Sequence, residues 1–311
     1  MRLPLLTLSL ALSSGLAAQY DVTTFMSFYV PVTEGIDAGT GAMWDDPEVT
    51  VPIGFDFNLN GATINTLTTF NLGDALIAPD GNGTYVGLWP LTIDVADLAN
   101  ATDSLSSVMQ YATTGVAPER VFTFEWTNTG FYNEVFDGIW ASQANWQVVL
   151  YEADGAIEFR FGPNTVMDIN LLSDGFLSTG LFSGVNLDTP SGQFLFGTGP
   201  ASAPVFAEYT DFYTLYYGGT ILEGMPEDGQ VYRFTPSNVG TEEAAAAAWS
   251  VYPNPAQGDV FTTVGGLRAL DAQGREVARQ AAGERRFEVS GWPAGVYFLT
   301  DGVRTERLLV Q

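Results

Sequence analysis

Apolar and polar residues alternate along most of this chain with a period of two, and almost nowhere with the 3.6-residue period of an amphipathic helix. The clearest case is Val49 to Leu59, where Ile53, Phe55, Phe57 and Leu59 fall on one face. Asn60-Gly61 then supplies the turn, and Ala62 to Asn71 returns as the partner strand. Asp80-Gly81-Asn82-Gly83 reads as a polar tip before a strand at Tyr85 to Trp89. The same alternation predicts strands over Ser107 to Thr113, Arg120 to Asn128, Asn145 to Ala153 and Ala156 to Gly162, with a two-residue type I′ turn at Asp154-Gly155. Leu91 to Ser107 is rich in Asp, Asn and Ser and has room for one helical turn. Gly175 to Val185 and Gly192 to Gly197 are short Gly-bounded runs, and Gln230 to Pro236 reads as a closing strand. Short strands with turn signals at this spacing predict an all-β protein. The expected architecture is a large antiparallel β-sandwich or jelly-roll-like body over residues 19–238, followed by a small Ig-like β-sandwich over residues 249–311.

The flanks of the body differ from it in composition. Residues 1–18 carry one Arg, then an apolar run, then small residues before Gln19, the layout of a secretory signal peptide and too short for a comfortable membrane span. Such a signal implies passage through the Sec translocon. Residues 239–248 hold five consecutive Ala after two Glu and read as a linker. The chain has no Cys, so no disulfide supports it and no lipobox cysteine exists to be acylated. Burial must hold the body together, and its length suffices for one large core or two small ones.

Charge narrows the function classes. Residues 19–243 carry three Arg against 29 acidic residues, a net charge of −26, whereas residues 244–311 balance seven Arg against seven acids. A body this acidic has no basic stripe for nucleic acid and no attraction to an anionic membrane or polyanionic glycan. It stays soluble by repulsion and offers carboxylates to cations. The chain also has no His and no Lys. That removes His-based triads, His-ligated zinc, imidazole acid–base catalysis and Schiff-base chemistry.

Five ordered pieces stand out after the linker. They are Val251-Tyr252-Pro253-Asn254-Pro255, the hairpin Leu270-Asp271-Ala272-Gln273-Gly274-Arg275-Glu276-Val277, the step Val289-Ser290-Gly291-Trp292, the strand Pro293 to Leu299 with Gly295 and Tyr297, and the basic-then-apolar run Arg304 to Val310. Pro253 and Pro255 favour an extended lead-in, and Gly274 and Gly295 sit where turns call for positive φ. Between Asp259 and Asp271 the segment is compressed, so one edge strand should be short or missing. In this order the pieces resemble the type A C-terminal sorting domain of the type IX secretion system. The resemblance implies export across the periplasm and outer membrane to the medium or cell surface. It implies recognition of residues 249–311 by the outer-membrane translocon and cleavage in or near 241–248 by a sortase-like protease. In that family the same protease can transfer the body to a surface lipopolysaccharide. The central block, TTGVAPERVFTFEW from Thr113 to Trp126 and WQVVLYEADGAIEFRFG from Trp146 to Gly162, resembles nidogen-like extracellular β-rich modules. No catalytic role travels with that pattern.

Carboxylate chemistry is what the composition leaves. Phe122, Phe124 and Trp126 face one way and Glu125 the other; Ile157, Phe159 and Phe161 face one way and Glu158 and Arg160 the other. Glu125, Gln147, Glu158 and Arg160 therefore form a candidate ligand face, on which two carboxylates could serve a glycoside hydrolase. The plainer reading is a solvated polar face with Arg160 paired to a cross-strand Glu. Calcium is a second use of carboxylates, with Asp45, Asp46 and Glu48, or Asp80 and Asn82, as ligand candidates; neither stretch is an EF-hand loop, and turn chemistry accounts for Asp80 to Gly83 without a metal. No other cofactor is expected. Tyr209, Phe212, Tyr213, Tyr216 and Tyr217 could stack on sugar rings or pack inward. The expectation is a non-enzymatic, adhesive or ligand-binding protein, with a carbohydrate-active protein, either a glycan-binding module or a carboxylate glycosidase, as the alternative.

Overall fold

The computed structural model describes residues 19–39, 41, 43–70, 72–169, 172–173, 176–189, 191–212, 214, 221–237, 251–302 and 305–311. The expected signal peptide, the linker, and Tyr213, Tyr216, Tyr217 and Arg304 lie outside them. The chain divides into two compact units, Met1–Val239 and Gly240–Gln311.

In the first unit the strands run β1 (Tyr20–Met26), β2 (Ile36–Asp37), β3 (Thr50–Leu59), β4 (Ala62–Phe70), β5 (Ala75–Pro79), β6 (Tyr85–Trp89), β7 (Val95–Ala96) and β8 (Val108–Thr114). They continue as β9 (Val121–Phe131), β10 (Ala144–Tyr151), β11 (Ile157–Asn164), β12 (Thr179–Asn186), β13 (Ser191–Pro200), β14 (Val205–Asp211), β15 (Leu222–Glu223) and β16 (Gln230–Pro236). Two eight-stranded sheets result. One has the order β1-β16-β11-β10-β9-β8-β2 with β7 beside β9, the other β14-β13-β12-β6-β5-β4-β3 with β15 beside β13. Only the β13–β15 pair is parallel among the described strand pairs of this unit.

Period-two patterning decides which side of each strand is dry. Val51, Ile53, Phe55, Phe57 and Leu59 of β3 are buried, and the predicted hairpin forms with Asn60 and Gly61 at φ 52° and 86°. Phe122, Phe124, Trp126, Trp146, Val148, Phe159 and Phe161 line the inner side of the first sheet, where Trp126 and Trp146 stack with ring centres 5.6 Å apart. Leu181 and Leu195 of β12 and β13 join that core, while Phe182, Phe194 and Phe196 point to the opposite face. There they form a second cluster with Phe176, against which Trp89 and Phe212 pack, so the second sheet is dry on both sides around β12 and β13, while β3 keeps one exposed face. That explains the unbroken apolar run Phe194-Leu195-Phe196.

Two local expectations change. The β10–β11 connection is five residues, Glu152 to Ala156, closed by the Tyr151 N–H to Ala156 carbonyl bond of 3.0 Å, and only Gly155 in it takes positive φ, 68°. Glu152 is drawn aside by Arg120, whose backbone N–H and Nε both donate to it at 3.0 and 2.8 Å, and Asp154 accepts from the Ala156 N–H at 3.0 Å. The helical turn expected between Leu91 and Ser107 is a 3-10 turn at Leu98–Asn100 whose N-cap is Asp97. A short helix α1 (Tyr132–Val135) and the first strand β1 carry no clear sequence signal, the helix because four residues give no periodicity.

The second unit is a small sandwich of β17 (Val251–Tyr252), β18 (Asp259–Thr262), β19 (Arg268–Leu270), β20 (Glu276–Arg279), β21 (Arg286–Glu288), β22 (Gly295–Thr300) and β23 (Thr305–Val310). Its sheets are β17-β18-β21 and β20-β19-β22-β23. Val260, Leu267, Phe287, Tyr297, Leu299 and Leu308 fill the space between them. The compressed stretch yields a four-residue β18 and a three-residue β19. Gly274 has φ 79° as the turn requires, but Gly295 is not in the positive-φ region. It is already the first residue of β22, paired with Val310, because the preceding turn closes earlier through the Trp292 N–H to Val289 C=O bond of 2.9 Å.

Candidate functional site

The antiparallel register assembles the polar face of the first sheet. Gln147 of β10 lies opposite Glu125 of β9 on one side and Arg160 of β11 on the other, with Gln110 of β8 beyond Glu125. One step along, Val149 lies between Thr123 and Glu158, and Glu158 faces Arg233 of β16. Glu125, Gln147, Glu158 and Arg160 therefore share one side of one sheet.

This face is not solvated: Glu125 is 1% and Glu158 3% exposed. The segment that leaves β1, residues 27–33, crosses it as a strap. Tyr29 Oη donates to Glu125 Oε1 at 2.7 Å and the Val32 N–H donates to Oε2 at 3.1 Å. Gln147 Nε2 donates to the same Oε1 at 2.7 Å and to the Val30 carbonyl at 2.9 Å. Gln110 Nε2 donates to Oε2 at 2.7 Å and to the Val32 carbonyl at 3.4 Å. Glu125 is thus a clasp, a carboxylate saturated by four neutral donors, two of them from the strap. Burial, then the neighbouring Glu125 charge, pushes the Tyr29 hydroxyl far above its ordinary range, which keeps it a donor. The strap lies close: a Cβ on Gly162 would come within 2.8 Å of the Tyr29 ring.

Glu158 is held differently. Arg160 Nε and Arg233 NH1 each donate to it at 2.7 Å, and Tyr151 Oη donates at 2.9 Å. Arg233 also reaches Asp154 at 2.6 Å and lies 5.0 Å from the centre of the Tyr151 ring. Burial works against the charged form of Glu158, but the two guanidiniums and the Tyr151 hydroxyl prevail and hold its carboxyl below the ordinary value. Burial and the Glu158 charge push Tyr151 up to about 12. The cation that pairs across strands is thus Arg233, while Arg160 pairs along its own strand. Glu125 and Glu158 sit two strands and two residues apart, roughly 12 Å between Cα atoms on ideal sheet spacings, and both are fully engaged.

Grooves flank the strap. One of about 710 Å³ lies beside Phe28, Tyr29, Glu125, Thr127, Pro163 and Asp228, and one of about 230 Å³ beside Val32, Thr123, Gln147, Tyr151 and Arg160. Other exposed apolar residues, Tyr132, Phe136 and Trp140, cluster at and after α1, with the Tyr132 and Phe136 rings 4.7 Å apart. Neither Phe28 nor this cluster declares itself in sequence, since an exposed ring and a core ring look alike there.

Of the calcium candidates, Asp45 and Asp46 come together with Asp94, one carboxylate oxygen from each lying within 4.8 Å of the others. Glu48 is not part of that group. Asp94 reaches it because Asp45 bridges to Ala96. Asp80 is committed to its own turn, accepting from the Asn82 N–H at 2.7 Å, the Thr84 N–H at 3.2 Å and the Thr84 hydroxyl. Asn82 is exposed at that tip.

The sorting-motif residues each have a structural task in the second unit. Asn254 Nδ2 donates to the Arg307 carbonyl at 2.7 Å and its Oδ1 accepts from the Leu309 N–H at 2.9 Å. The stretch Pro253-Asn254-Pro255 thereby lies along the outer edge of β23, and Ala256 completes it with backbone bonds to Leu309 and Gln311 of 2.8 and 2.9 Å. Tyr252 stacks on Phe261 at 6.1 Å. Asp271 accepts from the Gln273 and Arg275 N–H groups at 2.9 Å and pairs with the Arg275 side chain at 2.7 Å, closing the hairpin around Gly274. Tyr297 packs against Trp292 and donates to the Pro293 carbonyl at 2.9 Å.

Two antiparallel sheets enclosing one apolar core, one of them with its polar outer face clasped by the chain's own strap, make this body a β-rich module. The model of the family described as NIDO related matches residues 79–236, just over half of the chain, and the chain belongs to that family. No curated protein and no solved structure matches it. The matched region begins at the last residue of β5 and ends with β16, so it contains Glu125, Gln147, Glu158 and Arg160 but not the strap. Among the described residues no helix is long and apolar enough to cross a membrane, which says nothing of strands.

Proposed function

We propose that this chain is a non-enzymatic protein of the cell surface or medium whose body binds or adheres, and whose C-terminal unit is its export signal. In this reading residues 1–18 pass it to the Sec translocon, the outer-membrane translocon of the type IX system reads residues 249–311, and a sortase-like protease cuts in or near 241–248. The body is released or joined to a surface lipopolysaccharide. The observation that carries the non-enzymatic part is the occupancy of the best carboxylate pair. Glu125 spends both oxygens on neutral donors and Glu158 both on arginines and a tyrosine. Each of the four oxygens already accepts at least one hydrogen bond inside the fold and both groups are buried, which leaves them poorly placed for a proton transfer or a nucleophilic attack on a bound substrate. The export part is supported by the way Tyr252, Asn254, Asp271, Arg275 and Tyr297 are all used within one small sandwich.

Localisation in the source bacterium tests it, comparing the full chain with a version ending at Gly240. The full chain should reach the surface or medium and the truncated one should stop in the periplasm; equal export of both overturns the route. A glycan-binding reading of the body is favoured by one feature, the exposed Tyr132, Phe136 and Trp140 rings, which suit stacking on sugar faces. A glycan array probed with the full chain and with Trp140→Ala separates that reading from adhesion through protein contacts.

A further inference from the structure

The larger groove beside the strap has an electrostatic peculiarity. Glu125 and Asp228 are among its lining residues, and no arginine lines it. The chain contains no Lys or His that could substitute. Buried charges in proteins are as a rule paired with an opposite charge. Glu158, on the same face and as buried, follows the rule with two guanidiniums. Glu125 does not: its four partners are a phenol, two amides and a backbone N–H. Asp228, exposed, makes no ion pair among the described residues and lines the same groove as Tyr29. Two carboxylates thus share the groove with Tyr29, and no cation lines it among the described residues.

The rim is as unusual as the charge. Phe28 is 93% exposed and Met26 58%. Neither ring nor thioether contributes to the core, yet both border the acidic groove. An apolar, aromatic lip around uncompensated negative charge suits a cation carried on an apolar stem, which can pack its methylenes on the lip and place its head at the carboxylate. A bare divalent ion fits less well, because it wants six or more oxygens and those of Glu125 are spent. Anions are repelled.

The geometry points to this groove as the recognition site for an arginine or lysine side chain of a polypeptide partner. Asp228 is the direct ion-pair acceptor, Phe28 the apolar lip, and Glu125 a fixed second negative charge behind Tyr29. The inference deepens the binding part of the proposed function and does not depend on the export route.

Isothermal titration of the full chain with acetyl-Gly-Arg-Gly-amide tests it, beside the lysine peptide, the peptide with neutral citrulline in place of arginine, and calcium chloride alone. Both basic peptides should bind with dissociation constants of about 10 mM or tighter, and binding should weaken as sodium chloride is raised. The citrulline peptide should bind about fivefold more weakly or worse, and Asp228→Asn should lower arginine-peptide affinity by a similar factor. Phe28→Ser should weaken it as well. Both positions are exposed, so neither variant threatens the fold. Absence of peptide binding, equal binding of arginine and citrulline peptides, an unchanged Asp228→Asn variant, or calcium binding that Asp228→Asn abolishes in place of peptide binding would each overturn the assignment. Failure here with export intact removes the groove alone; loss of the export difference at Gly240 removes the route alone.

Discussion

Replacing Glu125 separates a clasp from a catalytic acid. The carboxylate accepts from Tyr29 Oη and Gln147 Nε2 on one oxygen and from the Val32 N–H and Gln110 Nε2 on the other. Hydrogen bonds to a charged group contribute about 1.5–3 kcal/mol each, and a buried donor left unpaired costs about 1–3 kcal/mol. Glu125→Ala removes the acceptor from all four donors and also frees the strap, whose remaining ties to the sheet include Gln147 to Val30 and Gln110 to Val32. It also relieves the desolvation of an uncompensated buried charge, which offsets part of the loss. The expected net destabilisation is about 3–5 kcal/mol.

Glu125→Gln is milder, and the structure says how. The Val32 N–H cannot reverse, so the new amide must keep its oxygen toward Val32 and Gln110 and turn its NH₂ toward Tyr29 and Gln147. The Tyr29 hydroxyl can rotate to accept, but Gln147 can accept only by flipping, which breaks its 2.9 Å bond to Val30. One backbone carbonyl is then unpaired, a cost of about 1–2 kcal/mol. Urea unfolding followed by tryptophan fluorescence measures both, since Trp126 and Trp146 are buried on the other side of the same strands. Hydrogen exchange at the Val32 amide should accelerate in the order parent, Gln, Ala. If the Ala variant unfolds within about 1 kcal/mol of the parent and Val32 exchange is unchanged, the clasp is refuted. A catalytic Glu125 makes the opposite prediction for Gln: normal stability with lost turnover.

Two further substitutions test other parts of the chain. Burial pushes the Asp74 carboxyl up to about 8, against hydrogen bonds from Trp89 Nε1 at 2.6 Å and the Ile93 N–H at 3.0 Å. A carboxyl raised in the fold stabilises fully below its unfolded value of 3.8 and loses that contribution as pH climbs toward 8. Asp74→Asn should therefore be within about 1 kcal/mol of the parent near pH 4, gain on it steadily as pH rises from there toward 8, and hold a constant lead above that; parallel stability–pH curves for the two proteins contradict this. In the second unit, Asn254→Ala removes both bonds that tie the Pro253-Asn254-Pro255 stretch to β23. It should destabilise that unit by about 1–2 kcal/mol and speed Leu309 amide exchange, whereas unchanged exchange means the motif asparagine is not structural.

The part of this architecture that is local was legible in the residues, and the part made by long-range closure was not. Period-two alternation put Glu125, Glu158 and Arg160 on one face before any register was known, and Asn60-Gly61 announced its hairpin. What covers that face was not legible. The strap reads as one more apolar run, Phe28-Tyr29-Val30-Pro31-Val32, and its partner Glu125 is 96 residues away from Tyr29 in sequence. Alternation says which side a residue points to, never whether water is there. The Asp154-Gly155 turn failed for a related reason: its form is set by the reach of Arg120 to Glu152 across 32 residues. Asp94 joined Asp45 and Asp46 through a single backbone bridge that no spacing rule would suggest.

The body's cations show how far an acidic chain can go in hiding its few positive charges. Arg120, Arg160 and Arg233 are the only ones between residues 19 and 243, and all three are turned to internal use. Arg120 pairs with Glu152 while donating to the Gly54 carbonyl at 2.7 Å, so it links the start of β9 in one sheet to β3 in the other. Arg160 and Arg233 are spent on Glu158. Each such ion pair engages a cation without reducing the excess of carboxylates, so the body keeps its net charge of −26 with no arginine left unpaired among the described residues. Any partner that approaches by charge must therefore bring the positive group itself. Glu125 and Asp228 lie where that negative charge meets an apolar lip, and binding there should strengthen as salt is lowered, whereas a glycan stacked on Tyr132, Phe136 and Trp140 should be indifferent to it.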